Sequence, residues 1–488
     1  MKSVNYKKIT IAVIAIAILL RIILTSLHTI SGDACWHFSA SKFIANNHYI
    51  PFDETIGRSK FEPFWPSPLF HIVVAFFYSM LGEFGLKLTP LIFGSLSIIF
   101  SYLIFKKFLN ERAVFYATLF VSFIPIGINY SVLGYPESIV SFFIILSIYF
   151  AVDEKFLASG ISAGFAILSK FTGVFVIPVL LYLVYKKYKN DKKSLLKNFF
   201  FAAIVPNIVS LPWFIRNWIL LGNPIWPFLN FIFHGLQAES YSNFGLVNLV
   251  KPSTYIITYL GFFGLPDGQY TAFFFYNLPY IWFLISIFFI GTLIYILPIF
   301  FGFKKNKEFN FVYVMLASFA ILLMLFELNV RPAVSRIVLP AMFALGFVYG
   351  IGIDRIFSKK ALYGKILTVS IIMIIAGFAV SEVIRFKIAS DTWKFYKEDF
   401  EWVKKNTGKD DIFLNGGQCI QFRMQRGALL PSEDINSDKY KYIWINQGFK
   451  LEPQSIMTNE ELSKVYKKNI EKLYDNKKTG TAIYKIIR

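Results

Sequence analysis

Residues 31–47 read SGDACWHFSASKFIANN and follow directly on the apolar run IAVIAIAILLRIILTSL of residues 11–27. A run of about 20 mostly apolar residues is long enough to cross a bilayer as a helix. Lys2, Lys7 and Lys8 precede it and no small-residue cleavage signal follows. It therefore reads as an uncleaved first span rather than a signal peptide. A plain tether between two spans would be short and bland. This one carries Asp33, Trp36 and His37 within five residues and then an amphipathic segment.

Outward from that stretch the hydropathy repeats. Of 488 residues, 56% are hydrophobic, 19% aromatic and only 16% charged, which excludes an ordinary soluble protein and requires many spans. The formal net charge is +20, and the basic residues gather in short loops such as KKFLNER (106–112), KKYKNDKK (186–193), KKNKEFN (304–310) and DRIFSKK (354–360). Segments retained in the cytoplasm have this character. A nucleic-acid partner is not expected, because the basic runs sit between apolar spans.

These loops set the orientation. Spans are expected at 9–29, 86–105, 113–130, 139–151, in two short runs split at SKFTG (169–173), and at 199–213, 278–303, 311–328, 337–353 and 362–380. That makes about eleven crossings, with the N-terminus inside and the C-terminus outside. Residues 30–85 then form a long external loop. Within it, SPLFHIVVAFFYSMLG (67–82) is short, interrupted by His71 and led by Pro66 and Pro68. It reads as a helix lying on the outer surface.

The composition changes near residue 384. TWKFYKEDFEWVKKNTG (392–408) has helical periodicity and a Gly stop, and TNEELSKVYKKNIEKL (458–473) opens with a Thr458/Glu461 capping box. DIFLNG (411–416), YKYIWINQG (440–448) and TAIYKII (481–487) read as strands. The expected fold is an α-helical polytopic membrane protein over 1–384, followed by a small extracytoplasmic α/β domain over 385–488. Cys35 and Cys419, the only cysteines, form no framework or zinc motif and both fall on the outside; two free thiols are expected ahead of a disulfide between them, which stays open.

The expected topology places one set of polar residues at the outer ends of the spans: Asp33, His37, Lys60, Glu62, Glu137, Lys170, Arg216, Asn217, Arg331 and Arg336. Cations at that depth could grip the phosphate of a lipid whose tail stays in the bilayer. A carboxylate beside them could take a proton from an acceptor hydroxyl. Most of these residues also have a plainer reading, and Glu62 with Lys60 reads first as a solvated loop pair. Asp33 suits a helix cap, and Glu137 after Pro136 suits a helix opening. Lys170 could snorkel to the headgroups. Arg216 and Asn217 could anchor the interface with Trp213 and Trp218. His37, one turn after Asp33, could be an ordinary interfacial His. Arg21 inside the first span costs about 2.5–3.5 kcal/mol at a helix centre and must pair or face the bundle.

The order of these features resembles the GT-C superfamily of membrane glycosyltransferases, and within it the protein-mannosyltransferase and aminoarabinose-transferase-like group. The resemblance rests on Asp33 in SGDACWHFSASKFI, the Pro-flanked helix FWPSPLFHIVVAFFYSMLG, Glu137 in GYPESIVSFFIILSIYF and Lys170 in GFAILSKFTGVFVIPVL. PWFIRNWILLGNPIWPFL and NVRPAVSRIVLPAMFAL continue it, so it covers roughly the first 350 residues in order. It implies an inverting transfer of a sugar from a polyprenyl- or dolichyl-phosphate donor to a protein, glycan or lipid acceptor outside the cytoplasm.

In that reading Asp33 is the base or activator of the acceptor, and Glu137 is the second acid, orienting the acceptor or holding a metal. Lys170, Arg216, Arg331 and Arg336 face the donor phosphate, and His37, Lys60, Glu62 and Asn217 are substrate contacts. The resemblance leaves a divalent metal ion open, with Asp33, Glu137 and His37 as its ligands where one binds. This sequence has Ala34 and Cys35 where the family usually carries an acidic or aromatic pair after the first acid, and Glu where the second acid is often Asp. It carries no WWD signature of oligosaccharyltransferases. A transporter or lipid flippase is the rival class, although such proteins tend to place charge at mid-membrane and to show inverted repeats.

Overall fold

The computed structural model describes residues 5–52, 64–236, 281–303, 309–329, 335–414, 418–429, 440–446 and 470–487. Each expected span is helical. Six helical stretches are long and apolar enough to cross a membrane: Tyr6–Leu27, Glu83–Phe108, Phe171–Tyr188, Lys192–Leu221, Ala341–Lys359 and Ala361–Phe395. The helices Glu137–Val152, Phe156–Ser169, Ile281–Gly302 and Asn310–Asn329 occupy four of the other expected positions, and a broken helix occupies the fifth. Asn5, Asn110 and Asp191 open three helices, each side chain accepting a backbone N–H three residues on. Side-chain caps of this kind satisfy donors that a helix start would otherwise leave unpaired.

The third span is broken. Glu111–Phe123 ends at Ile124, and Pro125, which has no N–H to continue the ladder, starts the short helix Pro125–Tyr130. Arg21 reaches this break from the first helix. It is 1% exposed and donates to the carbonyls of Ala17 (3.0 Å) and Ser122 (2.9 Å). The arginine thus satisfies a carbonyl that the break leaves without its helical partner. Helices also approach closely where glycine allows it. A Cβ at Gly350 would lie 2.3 Å from the Ala113 carbonyl oxygen, so the helix Ala341–Lys359 can lie against Glu111–Phe123 only with hydrogen at that point.

The stretch expected as the long external loop carries the helices Asp33–Asn47 and Leu69–Leu81. The last span, Ala361–Phe395, runs as one helix through the expected boundary at residue 384. After Tyr396 come the helix Lys397–Asn406 and a five-stranded sheet: β1 (Ile412–Leu414), β2 (Gly427–Leu429), β3 (Tyr442–Asn446), β4 (Ile470–Asn476) and β5 (Thr481–Ile486). The order is β2-β1-β3-β5-β4, parallel from β2 to β3 and antiparallel at β5 and β4. The short helix Gln418–Met424 connects β1 to β2.

Two expectations are corrected here. Ile470–Leu473, read as a helix end, is the start of β4. Antiparallel pairing with β5 overrides the helix propensity of its Glu and Lys, and this exposed edge strand lacks the apolar alternation that would have marked it. The capping box Thr458/Glu461 lies outside the described residues. Cys35 and Cys419, expected as free thiols, form a disulfide with Cα atoms 5.0 Å apart. Folding brings them together because one apolar core holds Cys35, Phe38 and Phe70 of the external helices with Trp393, Phe400 and Trp444 of the C-terminal part.

Candidate active site at the outer loops

Four element ends meet at one cavity. Asp33 stands in the first turn of Asp33–Asn47, and Glu137 opens Glu137–Val152 after Pro136. Carboxylates are favoured at both places by the helix dipole. Lys170 follows the helix Phe156–Ser169 in an extended conformation that ends it, and Arg336 sits in the 3-10 turn Ser335–Val338. Arg336 Nη1 donates to Asp33 Oδ2 at 2.9 Å, and its Nε lies 3.6 Å from Glu137 Oε1. Lys170 Nζ donates to the same Glu137 oxygen. Glu137 is 1% exposed. Two cations and two carboxylates thus form one neutral chain, Asp33–Arg336–Glu137–Lys170.

The cavity, about 170 Å³, is lined by these four and by Trp36, His37, Trp65, Ser67, His71 and Tyr135 among others. The Arg336 guanidinium lies 5.0 Å from the centre of the Tyr135 ring. Burial raises the Tyr135 phenol well above its ordinary value, so it stays protonated and can donate. Burial lowers the Lys170 ammonium, opposed by Glu137 beside it. Burial also pushes the His71 imidazole down to about 3, so it is neutral near pH 7. His71 Nε2 shares a 2.9 Å hydrogen bond with His37 Nδ1. Four buried polar atoms of lining residues have no hydrogen-bond partner among the described residues: Glu137 Oε2, Trp36 Nε1, Ser67 Oγ and His71 Nδ1. Buried polar groups are almost always paired, so this wall is shaped for a polar ligand.

The expected residues divide. Asp33, Glu137, Lys170, Arg336 and His37 come together. Arg216 does not join them: it lines a neighbouring apolar pocket of about 470 Å³ with Phe52, Pro68, Leu168 and Trp213. The stacked Trp36 and Phe64, with Trp213 against Phe64, stand between the two. Arg216 donates to the Phe64 carbonyl (2.6 Å), the Pro51 carbonyl (3.4 Å) and Asn217 Oδ1 (2.9 Å). Asn217 is fully buried and donates in turn to the Pro224 carbonyl, so both ends of its amide serve the turn around it. Lys60, Glu62 and Arg331 lie outside the described residues.

Asp33, Glu137 and His37 do not gather as metal ligands. Arg336 stands between the two carboxylates and His37 is turned to His71. Among the described residues no three His, Cys, Asp or Glu side chains come together to hold an ion. Sequence reasoning passed over His71, Tyr135, Trp36 and Ser67 as wall residues. A His on an otherwise apolar, Pro-led helix was the one available signal, and its partner lies 34 positions away.

Residues 63–213, from the outer loop through most of the seventh span, match the family described as dolichyl-phosphate-mannose-protein mannosyltransferase. No curated protein matches the chain. Solved structures resemble it along its whole length. ArnT from Cupriavidus metallidurans bound to undecaprenyl phosphate matches with a TM-score of 0.60 and 13% identity, covering 97% of each chain. The oligosaccharyltransferase of Archaeoglobus fulgidus in its apo form gives 0.55 and 14% identity over 98% of this chain and 74% of that one. The archaeal oligosaccharyltransferase AglB from the same organism, in complex with an inhibitory peptide and a dolichol-phosphate, gives 0.53 and 14% over the same shares. The helices at the expected span positions, the small terminal sheet and these matches give this membrane protein the GT-C fold.

Proposed function

We propose that the protein transfers a sugar from a polyprenyl- or dolichyl-phosphate-linked donor to an acceptor hydroxyl outside the cytoplasm, with inversion at the sugar carbon. The observation that carries the reading is the neutral quartet at a cavity with unpartnered polar atoms. Lys170 and Arg336 are the phosphate ligands. Both are paired with carboxylates, so the donor phosphate enters by exchange. When it takes Arg336, the Asp33 carboxylate is released to face the acceptor. Binding of the donor thereby readies the base.

Asp33 then takes the proton of the acceptor hydroxyl as its oxygen attacks the sugar carbon on the face opposite the phosphate. The bond from that carbon to the phosphate oxygen breaks, and the electron pair leaves on the lipid phosphate, held by Lys170 and Arg336. Glu137 Oε2 and Ser67 Oγ orient the acceptor. No step is routed through a metal ion, because the two carboxylates are bridged by Arg336. Solved proteins of this fold carry undecaprenyl phosphate and dolichol-phosphate, which supports a lipid phosphate as ligand. The Cys35–Cys419 disulfide supports placing the external helices and the terminal sheet in an oxidising compartment.

The test is transfer by the purified protein from a radiolabelled polyprenyl-phosphate sugar to a hydroxyl acceptor. Transfer that needs Asp33 sustains the reading. Equal transfer by wild type and Asp33→Asn removes Asp33 as the base.

A further inference from the structure

The stretch that delivers Asp33 is gripped from the C-terminal part of the chain. The helix Asp33–Asn47 begins at Gly32 with no side-chain cap to fix its start. Gly32 has φ +62°, a conformation glycine takes readily, and a Cβ there would lie 3.0 Å from Tyr135 Oη. What holds residues 28–35 comes from elsewhere. Lys87 Nζ donates to the His28 carbonyl and Arg423 Nη2 to the Ile30 carbonyl, each at 2.5 Å. Cys419 Sγ lies 3.4 Å from the Gly32 carbonyl oxygen, a packing contact, since a disulfide sulfur has no proton to give. Cys419 is bonded to Cys35, two residues past Asp33, and both cysteines are fully buried. The Arg423 guanidinium stacks over Trp393, 3.9 Å from the ring centre, which fixes its aim. Arg423 and Cys419 share the short helix Gln418–Met424.

We propose that the helix Gln418–Met424 is a clamp that sets the position of Asp33, which makes Arg423 and the Cys35–Cys419 pair positioning residues of the transfer reaction. The inference rests on the reading of Asp33 as the base. The apolar core that joins Phe38 and Phe70 to Trp393, Phe400 and Trp444 already docks the terminal sheet on the external helices. The clamp adds contacts directed at the backbone on either side of Asp33. The carboxylate must meet both Arg336 and an acceptor oxygen, so a small displacement of residue 33 is costly.

The experiment uses the full-length protein as wild type, Arg423→Ala, Arg423→Lys and the double variant Cys35→Ser/Cys419→Ser. Turnover, donor KM and deuterium uptake of residues 28–40 are measured together. Because misplacing a reacting group by about 1 Å can cost up to about 100-fold, Arg423→Ala and the double serine variant should lower kcat by about 10- to 100-fold with donor KM within about twofold. Arg423→Lys, which keeps a donor for the Ile30 carbonyl, should recover most of the loss. Deuterium uptake over 28–40 should rise in the two weakened variants. Unchanged uptake there overturns the clamp whatever the activity. So does a loss of kcat, donor binding and melting temperature together that lysine does not rescue, since that describes a general fold defect. If uptake rises as expected but no variant, wild type included, moves sugar from a lipid phosphate, the clamp stands and the transfer reading falls.

Discussion

At the basic-loop end of the bundle Lys187 pairs with Glu154 and Arg112 with Asp354, each at 2.6 Å, and Lys107 meets Asp153. At the other end Lys170 and Arg336 share Glu137, and Arg336 also holds Asp33. One helix links the two sets, because Glu137 opens Glu137–Val152 and Asp153 follows its last turn. The residue types are the same and the surroundings are not. The side chains of Lys187 and Glu154 are about half exposed, whereas that of Glu137 is 2% exposed. An exposed pair contributes about 0–1 kcal/mol, whereas breaking a buried one costs about 3–5 kcal/mol. The second set holds a buried carboxylate between two cations, and in the function proposed above it is exchanged for the donor phosphate.

The largest effect should come from the member that touches the acceptor. Asp33→Asn keeps the shape beside Arg336 but removes the proposed base, and should lower kcat by about 10²- to 10⁴-fold with melting temperature nearly unchanged. A loss of donor binding instead would make Asp33 a phosphate organiser. Lys170→Met comes next. It leaves Glu137 buried with one partner fewer and should destabilise by about 3–5 kcal/mol, which a melting curve reads. Adding Glu137→Gln should restore part of that stability without restoring transfer, because a neutral amide no longer needs the ammonium.

Arg216→Ala should cost about 1–3 kcal/mol through its lost bonds to the Phe64 and Pro51 carbonyls, with transfer falling only as far as stability does. Abolished transfer at an unchanged melting temperature would bring Arg216 into the donor site after all. Smallest is Lys187→Ala, within about 0.5 kcal/mol and with full transfer. A larger effect there would erase the contrast between the two ends.

Much of the fold was legible because hydropathy and the placement of Lys and Arg are local signals. The positions of the spans and the terminal strands β1, β3 and β5 follow from them. Of the site, Asp33, Glu137, Lys170 and Arg336 were legible as polar residues at span ends. That Arg216 faces another pocket was not, because the packing of Trp36, Phe64 and Trp213 decides it and those rings lie on three separate segments. The cysteine pair spans 384 positions, and the His37–His71 bond joins two helices, so no local spacing announces either. β4 escaped because an exposed edge strand carries no apolar alternation.

Arg21 has a consequence for how the protein is made. The first helix reaches the bilayer with a guanidinium that finds its distant acceptor, the Ser122 carbonyl, only on a segment synthesised about a hundred residues later. Until the hairpin containing Pro125 arrives, that charge must be met by water, headgroups or an insertase. The opening helix is therefore a poor stand-alone anchor. Biogenesis should pass through a loosely seated intermediate that becomes committed to the membrane when the broken third span docks against it.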